Sequence, residues 1–188
     1  MAVFNKQNLL SELTDRTELV ISNTQPFLRL TNEQLNEKVS QDAWSIAEVF
    51  EHLNKIHQIY IKDIVQKING AADIEQKTNF NSGWLGDIVY EKTMPRPNGT
   101  VFKFRTPKLL HPGKNSLDGR NVLERFLQHQ DTIHDIISHV SSKDLERIKI
   151  PFYFTRVLNL RLGDKLRFII AHNERHLLQA QRMYARFC

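Results

Sequence analysis

The chain has 188 residues, of which 40% are apolar and eleven are Phe, so it carries enough material for the core of one domain spanning residues 1–188. Its formal net charge of +5 comes from 26 Lys and Arg that are mixed with 21 Asp and Glu along the chain, which argues against nucleic acid as a partner. The single cysteine, Cys188, excludes an intrachain disulfide, and the lack of a secretory signal or of an apolar run of roughly 20 residues predicts a soluble, cytoplasmic protein without a membrane span.

Four segments show the apolar spacing of amphipathic helices, with hydrophobic residues at steps of three and four. They cover residues 5–24, 45–68, 120–140 and 164–187. A helix of some twenty residues is about 30 Å long and cannot bury its apolar stripe alone. The pattern therefore predicts an all-α fold, a four-helix bundle.

The second and third helices are separated by a long irregular connection. It contains a short helical pattern at residues 84–92 and then a stretch rich in Pro and Gly at residues 93–115, which precludes a continuous helix. The apolar residues Val101, Phe102 and Leu109 indicate that this stretch packs against the protein. We interpret the connection as a lid or wall across one end of the bundle, while an insertion that only fills a groove or forms a dimer contact fits the sequence equally well.

Two histidines, His172 and His176, lie four residues apart on the fourth predicted helix. This spacing places both imidazoles on one face, beside the apolar stripe, where they can converge on one metal ion. The alternative is a pair of core histidines that hydrogen-bond to neighbouring helices or to water. The spacing alone does not decide between the two.

His52 borders the apolar stripe of the second helix and is the best candidate for a third donor, because metal sites in bundles use side chains on facing helices. A lone histidine in this position is more often structural than a ligand. The other histidines are poorer candidates because their spacing or their position in the irregular segment prevents a shared face; they are His57, His111, His129, His134 and His139.

Glu48 lies one turn before His52 and has two competing interpretations. It is a candidate catalytic residue, either as a general base or as an acceptor for an imidazole N–H. It also completes the pattern of a capping box with Ser45, and this second interpretation is favoured. Trp44, which precedes the cap, is interpreted as a hydrophobic staple rather than as a substrate contact.

Two segments resemble the signature segments of the DinB/YfiT-like superfamily of metal-dependent enzymes. The first is WSIAEVFEHL at residues 44–53, and the second is LGD at residues 162–164 followed by HNERHLLQ at residues 172–179. The phrase FRTPK at residues 104–108 also resembles a connecting segment of some members. The resemblance implies an antiparallel four-helix bundle, commonly a homodimer, that holds a divalent metal through three histidines. At the matching positions of this sequence these are His52, His172 and His176.

The resemblance also implies a range of reactions and metals. The metal is expected to be nickel or zinc, with manganese or iron as further candidates. Known members include transferases that use a low-molecular-weight thiol, so thiol-dependent S-transfer to a small molecule is slightly favoured over hydrolysis. The alternatives are a non-catalytic metal- or ligand-binding bundle of the stress response and, more remotely, anion or nucleic-acid binding by Lys103, Arg105, Lys108 and Lys114.

Overall fold

The computed structural model describes residues 1–74, 77–95, 100, 102, 106–113, 115–152 and 158–187. Several residues that the sequence analysis singled out lie outside these ranges, namely Val101, Lys103, Phe104, Arg105, Lys114 and Cys188. The helices are α1 (Lys6–Thr24), α2 (Asn32–Asn36), α3 (Ile46–Asn69), α4 (Trp84–Thr93), α5 (Gly119–His139) and α6 (Leu162–Tyr184). The all-α prediction is confirmed. None of the helices in the described ranges is long and apolar enough to cross a membrane.

The main helices begin where side chains can cap them. Asn5 accepts a hydrogen bond from the backbone N–H of Asn8 at the start of α1, and Asp118 accepts one from Asn121 at the start of α5. Such caps satisfy backbone donors that have no partner within the helix. Gly70 follows the end of α3. The ends of the four long helices lie within one turn of the predicted positions.

The helices α1, α3, α5 and α6 form the predicted bundle, in which α3 and α1 each pack between α5 and α6. Within it, α3 and α5 run in the same direction, so this neighbouring pair does not have the antiparallel arrangement expected from the resemblance. Arg125 pairs with Glu51 near the start of both helices, whereas the N–H of Ile74 binds the carbonyl of Ser142 beyond their ends. The connection between α3 and α5 must therefore return along the bundle, which explains its length.

The pair α3 and α6 is antiparallel, and this pairing positions the candidate site. His57 of α3 contacts Asn173 of α6, and Tyr60, one turn further along α3, lies against Lys165, which precedes Asn173 by two turns. Residues near the start of α3 consequently face the second half of α6.

A buried polar layer divides the core into two apolar clusters. One cluster includes Leu13, Tyr60 and Ile169, and the other includes Phe27, Phe50 and Phe126. Four polar side chains of at most 1% exposure lie between the two apolar clusters, one from each helix of the bundle. They are Thr17, His57, Gln130 and Asn173. Asn173 joins two of the others, because it accepts from Nε2 of His57 at 2.8 Å and donates to Oε1 of Gln130 at 2.9 Å.

Two short antiparallel strand pairs, which the sequence analysis did not predict, pack at the N-terminal end of α6. They are β1 (Val3–Asn5) with β2 (Asn79–Asn81) and β3 (Lys149–Pro151) with β4 (Asn159–Arg161). The central residue of β2, Phe80, is buried against the start of α6 at Gly163. The strand pairs thereby hold the connecting segments against this helix.

Substituting Gly163 with Ala is expected to destabilise the protein. A Cβ atom at this position would lie only 2.6 Å from the Phe80 ring, which is itself fully buried and has no room to withdraw. Overpacking of this kind costs roughly 1–3 kcal/mol. Urea unfolding of the Gly163→Ala variant measures the loss, and Gly70→Ala, whose new Cβ would have ordinary contacts, is the control. Equal stability of the two variants would contradict the expectation.

Candidate metal centre

Three histidines meet between α3 and α6. His52 comes from α3 and the pair His172 and His176 from α6, and one ring nitrogen of each lies within 4.8 Å of those of the other two. The ring centroids are 4.5 Å apart for the α6 pair and 4.9 and 5.5 Å from His52 to its two neighbours. All three side chains are buried. This cluster could hold a divalent metal ion, since three imidazoles are a common ligand set.

Hydrogen bonds fix the orientation of two of the rings. His52 donates from Nδ1 to the carbonyl oxygen of Leu110 at 2.8 Å, and Nδ1 of His176 bonds to Oε1 of Gln179 at 3.0 Å. Because a carbonyl oxygen only accepts, these bonds place the proton on Nδ1 and leave the lone pair on Nε2. Second partners of this kind orient metal-binding histidines.

The third ring supplies the test of whether the cluster fits a metal. Nδ1 of His172 is buried and has no hydrogen-bond partner in the described part of the chain. A buried polar atom without a partner costs roughly 1–3 kcal/mol, so the protein does not use this imidazole as an ordinary core hydrogen-bonding group. The donor set and this ring together fit a cation with nitrogen ligands.

All three imidazoles are neutral at neutral pH. Burial is the main cause: it lowers the pKa of His52 to about 4 and that of His176 to about 3, and it lowers the pKa of His172 well below its usual value. The positive charge of Arg175 adds to the effect at each ring. A neutral imidazole is the form that binds a metal, so protons compete little with a cation here.

The three rings open onto a cavity of about 460 Å³. It lies between α6 and the connection that joins α3 to α5, which includes α4 and the segment after it. This volume is in the range of sites for small molecules. The part of the connection that the structure describes forms one wall, through Thr93 and Thr106. The remaining lining residues are mainly apolar and include Trp44, Ile88, Val89, Phe152 and Phe168.

Trp44 makes a second set of contacts besides those of the hydrophobic staple predicted from the sequence. It packs against the cluster that contains Val49, the partner expected for a staple, but its ring also lies 4.9 Å from that of His52 and 6.4 Å from that of His176. It thus forms part of the cavity wall. A residue just before a helix can reach over the first turn, and spacing along the sequence does not reveal this contact.

Glu48 forms the predicted capping box. Its Oε2 accepts the N–H of Ser45 at 2.9 Å, and the Ser45 hydroxyl accepts the N–H of Glu48. Its Oε1 accepts from Nζ of Lys38 at 2.8 Å. Both carboxylate oxygens are therefore occupied, and the described residues include no hydrogen bond from Glu48 to the three imidazoles. The structure supports the cap and gives no contact for a catalytic role.

Glu48→Ala is expected to lower stability without changing the affinity for metal. The variant loses one half of the capping box, which is worth on the order of 1 kcal/mol, together with the ion pair to Lys38. Chemical unfolding and a metal titration of the same preparation give both quantities, with Glu37→Ala as a control on a nearby exposed carboxylate. A large loss of affinity in Glu48→Ala alone would restore the catalytic interpretation.

The other histidines take no part in the cluster. His57 is buried in the polar layer, which the sequence analysis missed because it judged each helix separately. His129 bonds Asn54 and His134 faces Glu18, while Nδ1 of His139 donates to a backbone carbonyl of its own helix. His111 is exposed, and its ring contacts that of Trp44.

Lys165 is an unexpected buried amine near the cavity. Its side chain has no exposed surface, and Nζ lies 3.3 Å from the centre of the Tyr60 ring without a hydrogen-bond partner in the described ranges. A cation–π contact is worth up to about 2 kcal/mol, whereas burying an ammonium costs several. Burial therefore dominates and lowers the pKa of Lys165 well below its usual value.

Lys165→Met is expected to stabilise the protein. In the native chain, the unfolded state binds the proton that the folded state excludes, so stability rises as pH increases from the folded pKa to the unfolded value near 10.5. Methionine fills a similar volume without this penalty of about 1.4 kcal/mol for each unit of lowered pKa. Thermal unfolding between pH 7 and 10 should give a higher Tm and a weaker pH dependence in the variant. An unchanged or lower Tm would show that the amine is satisfied where it lies.

Comparison with known proteins agrees with this architecture. A profile of the DinB superfamily matches residues 16–180, a range that contains all three clustered histidines. The uncharacterized protein YuaE of Bacillus subtilis (strain 168) is 28% identical over 152 residues, which cover 80% of this chain and 83% of YuaE. No solved structure gives a significant match. The extent of the profile match shows that the chain belongs to the DinB superfamily.

Proposed function

We propose that His52, His172 and His176 hold a divalent metal and that the protein is a metal-dependent enzyme acting on a small molecule. The observation that carries the proposal is the meeting of three neutral ring nitrogens at the wall of an apolar cavity. Three protein ligands leave coordination positions for exchange, which is typical of catalytic rather than structural sites. The preferred reaction is thiol-dependent S-transfer, with hydrolysis as the second candidate.

Nickel or zinc is the metal that this ligand set favours. Neutral imidazoles suit both ions, whereas manganese prefers oxygen ligands and binds nitrogen donors more weakly. Iron is a further candidate, but the cluster contains no carboxylate of the kind that accompanies two histidines in many iron sites.

A bound divalent ion would act as a Lewis acid that lowers the pKa of a thiol or a water molecule in the cavity. The chain itself contributes orientation and exclusion of solvent. The Leu110 carbonyl and Gln179 hold two of the imidazoles, and Trp44 and Phe168 lie against the rings, where they keep bulk water away. Thr93 and Thr106 are polar residues of the wall that can help to orient a substrate.

The test is a turnover screen of the full chain loaded with nickel or zinc and of the same protein after chelation. One arm combines low-molecular-weight thiols with alkylating and activated aromatic electrophiles, and the other uses simple esters and amides. Metal-dependent turnover of thiol pairs supports S-transfer, and turnover of esters or amides supports hydrolysis.

Two negative outcomes are informative. Tight binding of metal without turnover in either arm would favour a non-catalytic metal-binding bundle. Absence of binding for nickel, zinc, manganese and iron would refute the proposal as a whole.

A further inference from the structure

The charge of the cavity wall points to the class of molecule that it accepts. Two lining residues carry a positive charge, Lys92 on α4 and Arg175 on α6, and none of the described lining residues is Asp or Glu. The two cations come from different walls of the same cavity. An anionic group in the cavity would meet favourable charges from both elements. An organic ammonium group, which forms no coordination bonds with the imidazoles, would meet repulsion.

The guanidinium of Arg175 is held in place by the wall. It donates to the carbonyl oxygen of Phe102 at 2.6 Å and approaches that of Lys92 at 3.5 Å. A carbonyl oxygen carries no net charge, so these two contacts orient the guanidinium and leave its positive charge in place.

The remainder of the cavity is apolar. Ile88 and Val89 of α4 face the aromatic residues Phe152 and Phe168. Burial of apolar surface against such a wall contributes roughly 25 cal/mol per Å². A small inorganic anion would leave this surface without a partner, so the complementary ligand has an apolar part as well as a charge.

We propose that the cavity binds a small organic carboxylate, with the carboxylate directed toward Arg175 and Lys92 and the apolar tail toward Phe152 and Phe168. This inference rests on the proposed function in one respect: the bound anion would be the substrate, or part of it, at the metal centre. The binding itself requires no metal. Charge-assisted hydrogen bonds from Arg to a carboxylate are stronger than neutral ones, and the mainly apolar wall strengthens them further.

The test measures binding of three compounds that share one tail: phenylbutyrate, phenylbutanol and phenylbutylamine. Calorimetric titration uses the full chain in the presence of a chelator, so that coordination of the acid by a metal cannot contribute. The carboxylate is expected to bind at least about tenfold more tightly than the alcohol, and the amine most weakly. Equal affinities for the three compounds, or no binding of any of them, would overturn the proposal.

Variants identify the residues responsible. Arg175→Gln should remove most of the preference for the acid, and Arg175→Lys should retain part of it. Lys92→Gln, at an exposed position, should weaken the preference and also removes the contact of Nζ with the Phe102 ring at 5.2 Å. Arg120→Gln removes an equal charge from the exposed surface of α5 and should change nothing. A full preference in both Arg175→Gln and Lys92→Gln would refute the assignment.

The titration is free of metal, so failure of the metal proposal leaves its result intact. Metal binding without a preference for the acid would refute this inference alone.

Discussion

Replacing His172 with Ala is expected to reduce the affinity for nickel or zinc by more than about 100-fold while the bundle stays folded. Loss of a residue that only orients a ligand costs roughly 10–100-fold, so loss of one of three ligands should exceed this range. The fold should persist because the substitution also removes a ring nitrogen that is buried without a partner. This gain offsets part of the cost of the new cavity.

The measurement is a competition titration against a chromophoric chelator, together with far-UV circular dichroism. His134→Ala is the matched control, since His134 is more exposed and lies outside the cluster, on α5. The control should bind metal as the parent chain does. Unchanged affinity in His172→Ala, with the fold intact, would show that the three histidines are not a metal centre.

The periodicity of the sequence predicted the four long helices because each has one apolar face and identifiable ends. The direction of α5 relative to α3 was not predictable in this way, since it depends on the path of the connection through space. The strand pairs are three residues long, too short for an alternating pattern to be recognised. Both features follow from contacts between distant segments, such as Phe80 with Gly163.

The candidate site was predictable only in part, because periodicity shows which residues share a face of one helix but not which helices meet. Spacing places His172 and His176 on one face, and the structure brings His52 to them through the antiparallel packing of α3 and α6. Their role as ligands stays a prediction. Arg175 lies within the signature segment at residues 172–179, but its spacing gives no sign of its contacts, which are made with carbonyl groups on the facing wall. The sequence does carry a signal for the polar layer, because each long helix interrupts its apolar stripe at one level.

The metal-free protein is expected to lose stability and unfold in mild acid, as the pH falls below the unfolded histidine pKa of 6.5. Four buried histidines are neutral in the folded state: the three of the cluster and His57, whose pKa burial lowers to about 3. Their folded pKa values lie below the unfolded value of 6.5, so the unfolded state binds the extra protons. The stabilisation that comes from keeping these four imidazoles neutral is fully present above pH 6.5. It is lost as the pH falls toward their folded pKa values.

The loss of stability from protonating these histidines is large enough to unfold the protein. Well below pH 6.5, each of these histidines lowers the free energy of unfolding by about 1.4 kcal/mol for each pH unit, so the four together lower it by on the order of 5 kcal/mol per pH unit. The total stability of a typical protein is about 5–15 kcal/mol. Asp164, whose pKa burial raises, opposes the trend, but it is a single group. Carboxylates with a lowered pKa, such as Asp87, add to acid unfolding only at lower pH.

Circular dichroism between pH 7 and 4 measures the transition, and two comparisons separate its sources. His57→Gln should reduce the pH dependence, since it removes a buried group that is not part of the cluster, whereas His134→Ala should not. Saturating zinc should move the transition to lower pH, because a metal that binds only the folded state competes with the protons on three of the four rings. Stability that is constant from pH 7 to 4.5 in the chelated protein would mean that these imidazoles are accessible to protons, and their assignment as buried neutral donors would then be wrong.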